Sequence, residues 1–167
     1  MVSAGFFVGE RVELIRGVIV EMSPQNIPHS AAIQFLNRWL QPALVGRADV
    51  RVQLPFVVGD DSVPEPDVAL VAPVILKHSH PSQAFLLIEV ADASLAYDRR
   101  EKTDLYARAG VPEYWIVNLV DRVVERHSEP SGGAYARLET ARGDDFISPL
   151  AFPDVGWPVA GIVGDDR

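Results

Sequence analysis

The chain contains no cysteine. This excludes disulfide scaffolds and thiolate metal sites together, and it fits a reducing compartment. No stretch of about 18 residues stays apolar enough to span a bilayer. Met1 to Glu10 has no basic start and no apolar run of signal-peptide length. These absences predict a cytoplasmic protein without a membrane partner. Internal repeats, low-complexity segments, a glycine-rich phosphate loop, a Ser-His-Asp order and a zinc signature are missing as well. Positive charge is also short, with 15 Lys and Arg against 23 Asp and Glu, a net charge of −8. Nucleic-acid binders usually carry a basic footprint, because neutralising phosphates supplies much of their affinity. The balance therefore argues against tight, non-specific DNA binding unless a local basic patch or a bound cation offsets it. Arg99, Arg100, Lys102 and Arg108 form the only dense basic cluster.

What is present is apolar and patterned. With 48% hydrophobic and 23% charged residues over 167 positions, the chain suits one domain with a proper core. The expectation is a single domain over 1–167, its core at about 10–140 and its tail, rich in Gly, Pro and Asp, without a clear pattern. Residues 12–15 and 18–22 flank Arg16-Gly17 and read as a β-hairpin. Ala32, Phe35, Leu36, Trp39, Leu40 and Ala43 recur at helical spacing, predicting a helix over 28–45 that Pro42 kinks or shortens and Gly46 stops. Alternation from Val50 to Val58 predicts a half-buried strand, with Pro55 marking an edge or a bulge. Residues 66–72 and 85–91 are nearly continuous apolar runs, as in strands covered on both faces; residues 73–83 between them read as a loop or short helical turn. A second helix is expected over 98–109, with Asp98 and Glu101 forming a capping box and Gly110 and Pro112 ending it. Strands follow at 113–118, 122–127 and 135–140. The sum is an α/β domain: a central mixed sheet flanked by helices, with an N-terminal hairpin.

Three charged residues stand where apolar ones are expected. Glu89 sits among Phe85, Leu86, Leu87, Ile88, Val90 and Ala91. A carboxylate buried there without a partner costs several kcal/mol or takes up a proton, so a cation should face it; the bland alternative is an arginine pair near the strand end. Asp67 raises the same question in the other apolar run, although Pro66 before it also suits a simple turn. Two hard-oxygen ligands on neighbouring buried strands are what Mg2+ or Mn2+ requires. Lys102 heads the stripe of Leu105, Tyr106 and Ala109, so its ammonium can reach the acidic pair; otherwise it pairs with Asp98 on a solvated face. Glu13 is explained by surface alternation as well as by metal binding, and His29 by helix capping or exposure more readily than by catalysis. Gln53 can reach the site from its strand. Tyr114 and Trp115 read as core rather than as a base-stacking platform, and His78 and His80 as surface.

The ordered set of Val12-Glu13-Leu14-Ile15-Arg16-Gly17, Met22-Ser23-Pro24 with His29, Pro66-Asp67-Val68, Ile88-Glu89-Val90, Tyr97-Asp98, Lys102 and Tyr106 through Val117 resembles the Uma-two family within the PD-(D/E)xK nuclease superfamily. The likeness runs over roughly residues 10 to 127. It implies a restriction-endonuclease-like core, a divalent metal and phosphodiester hydrolysis, most naturally in DNA. Under it, Asp67 and Glu89 are metal ligands, with Glu13 and the Val90 carbonyl as further candidates. Lys102 is the motif lysine, moved from the strand position held by Ala91 to the following helix. His29 matches the family's histidine without an assigned role. The chain departs from the family in its short segment before Glu13, and in Ala91-Asp92-Ala93-Ser94 where a Ser-Pro turn is usual. By analogy with two-strand cleavage a homodimer is expected. The rival expectation is a non-catalytic binding or interaction module that keeps the nuclease fold.

Overall fold

The computed structural model describes residues 11–74 and 78–164. Val12–Ile15 (β1) and Val18–Glu21 (β2) pair antiparallel. Arg16 and Gly17 between them both take positive φ, at 50° and 75°, the conformation a two-residue hairpin turn needs to match strand twist. Ile27–Ala43 forms α1, started by the Asn26 side chain, which accepts from the His29 amide. Pro28 lies in its first turn, where no donor is missed, and Pro42 lies in its last, so the helix is not broken internally.

The central sheet has six strands in sequence order: β3 (Asp49–Val52), β4 (Val68–Val71), β5 (Leu86–Ala91), β6 (Glu113–Asn118), β7 (Val123–Ser131) and β8 (Ala134–Arg142). Only β5 and β6 run parallel. Their crossover is helical: α2 (Leu95–Tyr97), a π-helical turn over Asp98–Lys102, and α3 (Thr103–Arg108). β4, β5 and β6 are buried along their whole length, which explains their unbroken apolar runs. On one face Val68, Leu70, Ile88, Val90, Trp115 and Val117 pack with Leu36 and Leu40 of α1. On the other, Ala69, Leu87, Tyr114 and Ile116 pack with Leu105 and Tyr106 of the crossover and Ile15 of the hairpin.

Four sequence expectations are corrected. The strand expected over 50–58 stops at Val52, because Gln53 takes φ 50° and turns the chain out of the ladder before Pro55. The second helix begins at Leu95 rather than at a capping Asp98; the Asp98 amide already donates to the Ser94 carbonyl, and its side chain turns inward. β7 and β8 are longer than the sequence suggests, since the Gly132-Gly133 turn lets both run to it. The unpatterned tail is ordered: β9 (Phe146–Ile147) pairs with β10 (Trp157–Pro158), and α4 (Val159–Val163) follows. Ile147, Phe152, Val155, Val159 and Ile162 from this segment join the α1 side of the core, and Trp157 meets Phe35 edge-on at 5.5 Å. Residues 75–77 of the expected loop lie outside the described residues. Tyr114 and Trp115 are core, and His78 and His80 are exposed. Among the described residues no helix is long and apolar enough to cross a membrane.

If the tail closes the core in this way, Ile162→Ala should destabilise the protein by about 3 kcal/mol, as a buried large-to-small change does. Urea unfolding monitored by tryptophan fluorescence measures it; a loss well under about 1 kcal/mol would show the tail to be an appendage.

Candidate active site

The functional candidates gather where β5 ends on the hairpin side of the sheet. Val68 pairs with Ile88 across β4 and β5, so one step along the same antiparallel register sets Asp67 beside Glu89, both directed to one face. Each carboxylate is held differently. The Asp67 Oδ2 accepts from the Val90 amide at 2.8 Å and lies 3.3 Å from His29 Nε2. The Asp67 Oδ1 accepts from Gln53 Nε2 at 3.0 Å. The Glu89 Oε1 accepts from Lys102 Nζ at 3.1 Å and from the Tyr106 hydroxyl at 2.7 Å.

Lys102 also donates to Glu13 Oε1 at 2.7 Å, and the Glu65 amide donates to that same oxygen at 2.6 Å. The hairpin thus delivers an anion to an ammonium carried by the crossover. The π-helical turn matters here. It packs one more residue into the turn than an α-helix would, which rotates Asp98 and Lys102 together onto the buried side. Asp98 accepts from the Ser94 hydroxyl at 2.6 Å. Glu13, Asp67, Glu89, Asp98 and Lys102 are each no more than 6% exposed, yet all five border one cavity of about 350 Å³. His29, Asn26, Asp92, Ser94 and Tyr97 line it too, and an Asn26–Asp92 hydrogen bond of 2.6 Å ties α1 to the loop after β5.

The four buried carboxylates, Glu13, Asp67, Glu89 and Asp98, face one buried ammonium and the His29 imidazole. Burial therefore pushes the Glu89 carboxyl well above the ordinary range; Lys102 pulls it down, while the charges of Asp67, Asp98 and Glu13 raise it further. Burial likewise lifts Asp98 to about 6 against the opposing pull of Ser94 and Lys102. Burial alone would lower Lys102, but Glu89 and Glu13 outweigh it and keep the ammonium charged. His29 behaves similarly: burial lowers its pKa, and Asp67, the Val90 backbone and Asp98 more than compensate.

All the residues singled out from the sequence, Glu13, His29, Gln53, Asp67, Glu89, Val90 and Lys102, come together. Asp98, Tyr106 and Tyr97 were not singled out. Asp98 and Tyr106 stand four residues either side of Lys102 on one helical stripe, a spacing that identifies both once Lys102 is known to face inward. Of the expected basic cluster, Lys102 is buried, Arg99 is tied to Glu125 and Asp121, Arg108 is tied to Asp104, and Arg100 is exposed.

A family model described as "Uma2: Putative restriction endonuclease" matches residues 7–160. The chain belongs to the Uma2 family. Among solved structures, a "putative nuclease belonging to DUF820" from Anabaena variabilis shares the fold, with a TM-score of 0.71 at 16% identity over 91% of this chain and 89% of that one. No curated protein matches. Uma2 membership implies a divalent metal, and the donor set of this chain suits one. Among the described residues no three acidic, His or Cys side chains converge closely enough to enclose an ion. A divalent cation, however, can be held by one or two carboxylates, completed by water and substrate phosphate, and both Asp67 and Glu89 border the cavity. The buried negative charge, which adds to the effect of burial in raising Glu89 and Asp98, is what an added cation would relieve.

Because Asp98 holds its proton more tightly when folded, it contributes stability that is complete below the unfolded Asp pKa of about 4. That contribution is lost as pH rises through about 6. Asp98→Asn should therefore gain stability relative to wild type between pH 4 and 7, on the order of 2 kcal/mol. Urea unfolding at pH 4, 5, 6 and 7 checks this, and parallel pH profiles for the two proteins would contradict it.

Proposed function

We propose that this Uma2 protein is a divalent-metal-dependent endonuclease that hydrolyses phosphodiester bonds in DNA, with Mg2+ or Mn2+ at Asp67 and Glu89. The supporting observation is the buried row of Glu13, Lys102, Glu89 and Tyr106 set beside Asp67 on one face of the sheet. Such a row keeps an ammonium and two candidate ligands fixed before any substrate arrives, which is the preorganisation that electrostatic catalysis needs. Asp67 and Glu89 would hold the ion, with the Val90 carbonyl as a further oxygen donor. A bound ion supplies a Lewis acid for the scissile phosphate and lowers the pKa of an attacking water.

The chain's own groups do the positioning. Gln53 and the Val90 amide fix the rotamer of Asp67, and Tyr106 fixes that of Glu89. Lys102, already desolvated, directs its charge at the oxygens of the pentacoordinate phosphate, where it is worth more than in water. The burial of these side chains limits bulk water around them. A non-catalytic module that keeps the fold is the second reading. The net charge of −8 and the pairing of Arg99 and Arg108 with acidic neighbours favour it, because they leave little positive surface for a duplex.

Glu89→Gln keeps the shape and the Tyr106 contact but removes the anion. It should lower Mn2+-dependent cleavage of plasmid DNA by at least about 10²-fold. Mn2+ should also raise the melting temperature of wild type and much less that of Glu89→Gln, through mass action on the folded state. Wild-type cleavage rates in the variant would remove Glu89 from the chemistry. Absence of both cleavage and a Mn2+ melting shift in wild type would favour the binding module. Lys102→Ala should abolish cleavage too, but with a stability loss of about 3–5 kcal/mol, since it leaves Glu13 and Glu89 buried without their cation; calorimetry separates the two effects.

A further inference from the structure

The two edges of the central sheet are treated differently. β3 is a four-residue strand, Gln53 turns the chain away at its end, and the Gln41 side chain donates to the Val50 carbonyl at 3.3 Å. These are the devices by which a sheet edge is closed to further pairing. β8 has none of them. It runs for nine residues without proline. Among the described residues, no backbone group of Ala134 to Ala141 is hydrogen-bonded outside its ladder with β7. Leu138, in the middle of this free edge, is 59% exposed.

The side chains of the edge read as their own complement. Arg137 and Glu139 flank Leu138 and point to the same face, since β8 pairs them with Ser128 and Arg126 of β7, two residues apart. In an antiparallel pair of identical strands, opposed positions sum to a constant. A two-fold axis through Leu138 sets Leu138 against its own copy, Arg137 against Glu139, and Ala136 against Thr140. A two-fold through Arg137 or through Glu139 would oppose like charges, which disfavours both. A two-fold through Thr140 opposes no two charged residues and gains no ion pair. Within one chain Arg137 already contacts Glu139 at 2.9 Å and Glu129 at 3.8 Å, and Glu139 contacts Arg126 at 3.7 Å. The exchange therefore re-partners charges that are on the surface, without burying an unpaired one. Backbone pairing supplies the attraction, and the charges select the register.

We propose that β8 is an interaction surface for a second copy of this chain, joined antiparallel about a two-fold axis at Leu138 into a continuous twelve-stranded sheet. The interface is isologous, so each residue contact occurs twice and any charge error is doubled. It lies on β8, whereas the carboxylate site lies at the end of β5, so the proposal stands or falls independently of the nuclease reading.

Sedimentation equilibrium of the full chain at about 1–100 µM tests it with two single variants. Wild type should dimerise. Arg137→Glu and Glu139→Arg should each weaken self-association by about tenfold or more, because each opposes like charges twice. Mixed in equal amounts, the two variants should form a heterodimer of near wild-type affinity, since both opposed pairs are again of opposite sign. A wild type that stays monomeric, single variants that dimerise as tightly as wild type, or a mixture no tighter than its parts would each overturn the proposal.

Discussion

A single buried ammonium organises this molecule. Lys102 links Glu13 of the N-terminal hairpin to Glu89 of a central strand, segments that share no ladder with one another. Both carboxylates are there at the expense of hydration, and among the described residues the ammonium between them is the only cation within hydrogen-bonding distance of either. Removing it leaves two uncompensated charges in a low-dielectric interior, a larger loss than any surface ion pair could represent. The hairpin's seat against the sheet depends on this bridge together with the Leu14–Val63 contact and the hydrogen bond from Arg16 to Ser62.

The same constraint shapes the chemistry. Glu89 shares one oxygen between Lys102 and Tyr106, while Asp67 is held by neutral donors and a histidine. The two neighbouring carboxylates are thus electrostatically unequal: one is tied to a full positive charge, the other to dipoles and an imidazole. Burial, with the neighbouring negative charges adding to it, raises the pKa values of Glu89 and Asp98.

Much of this was legible in the sequence. A carboxylate in a strand of otherwise apolar residues has few tolerable environments, so Glu89 announced a buried cation partner, and the helical stripe led by Lys102 supplied it. The hairpin, the first helix and the three central strands followed from periodicity and turn residues. What escaped depended on information that is not local. Asp98 looks like a helix cap until the helix is known to start at Leu95. Gln53 is expected to reach the site from within its strand; it meets Asp67 after leaving the strand in a left-handed conformation, which a strand alternation cannot signal. The apolar residues of the tail are broken up by Pro, Gly and Asp and show no period, yet Phe152, Val159 and Ile162 bury themselves because α1 offers a surface to receive them.

The parallel pairing of β5 with β6 carries an implication for biogenesis. Every acidic and basic residue that lines the cavity lies between Arg11 and Lys102, so a ribosome has emitted all of them before it reaches Glu113. Yet β5 gains its second neighbour only when β6 emerges and slots in beside it. Until then the strand bearing Glu89 remains a sheet margin open to water, where a carboxylate is comfortably hydrated and has little reason to recruit Lys102. A nascent chain therefore owns the ingredients of the cavity before it can arm them, and its charges are locked into place only once β6 has been added.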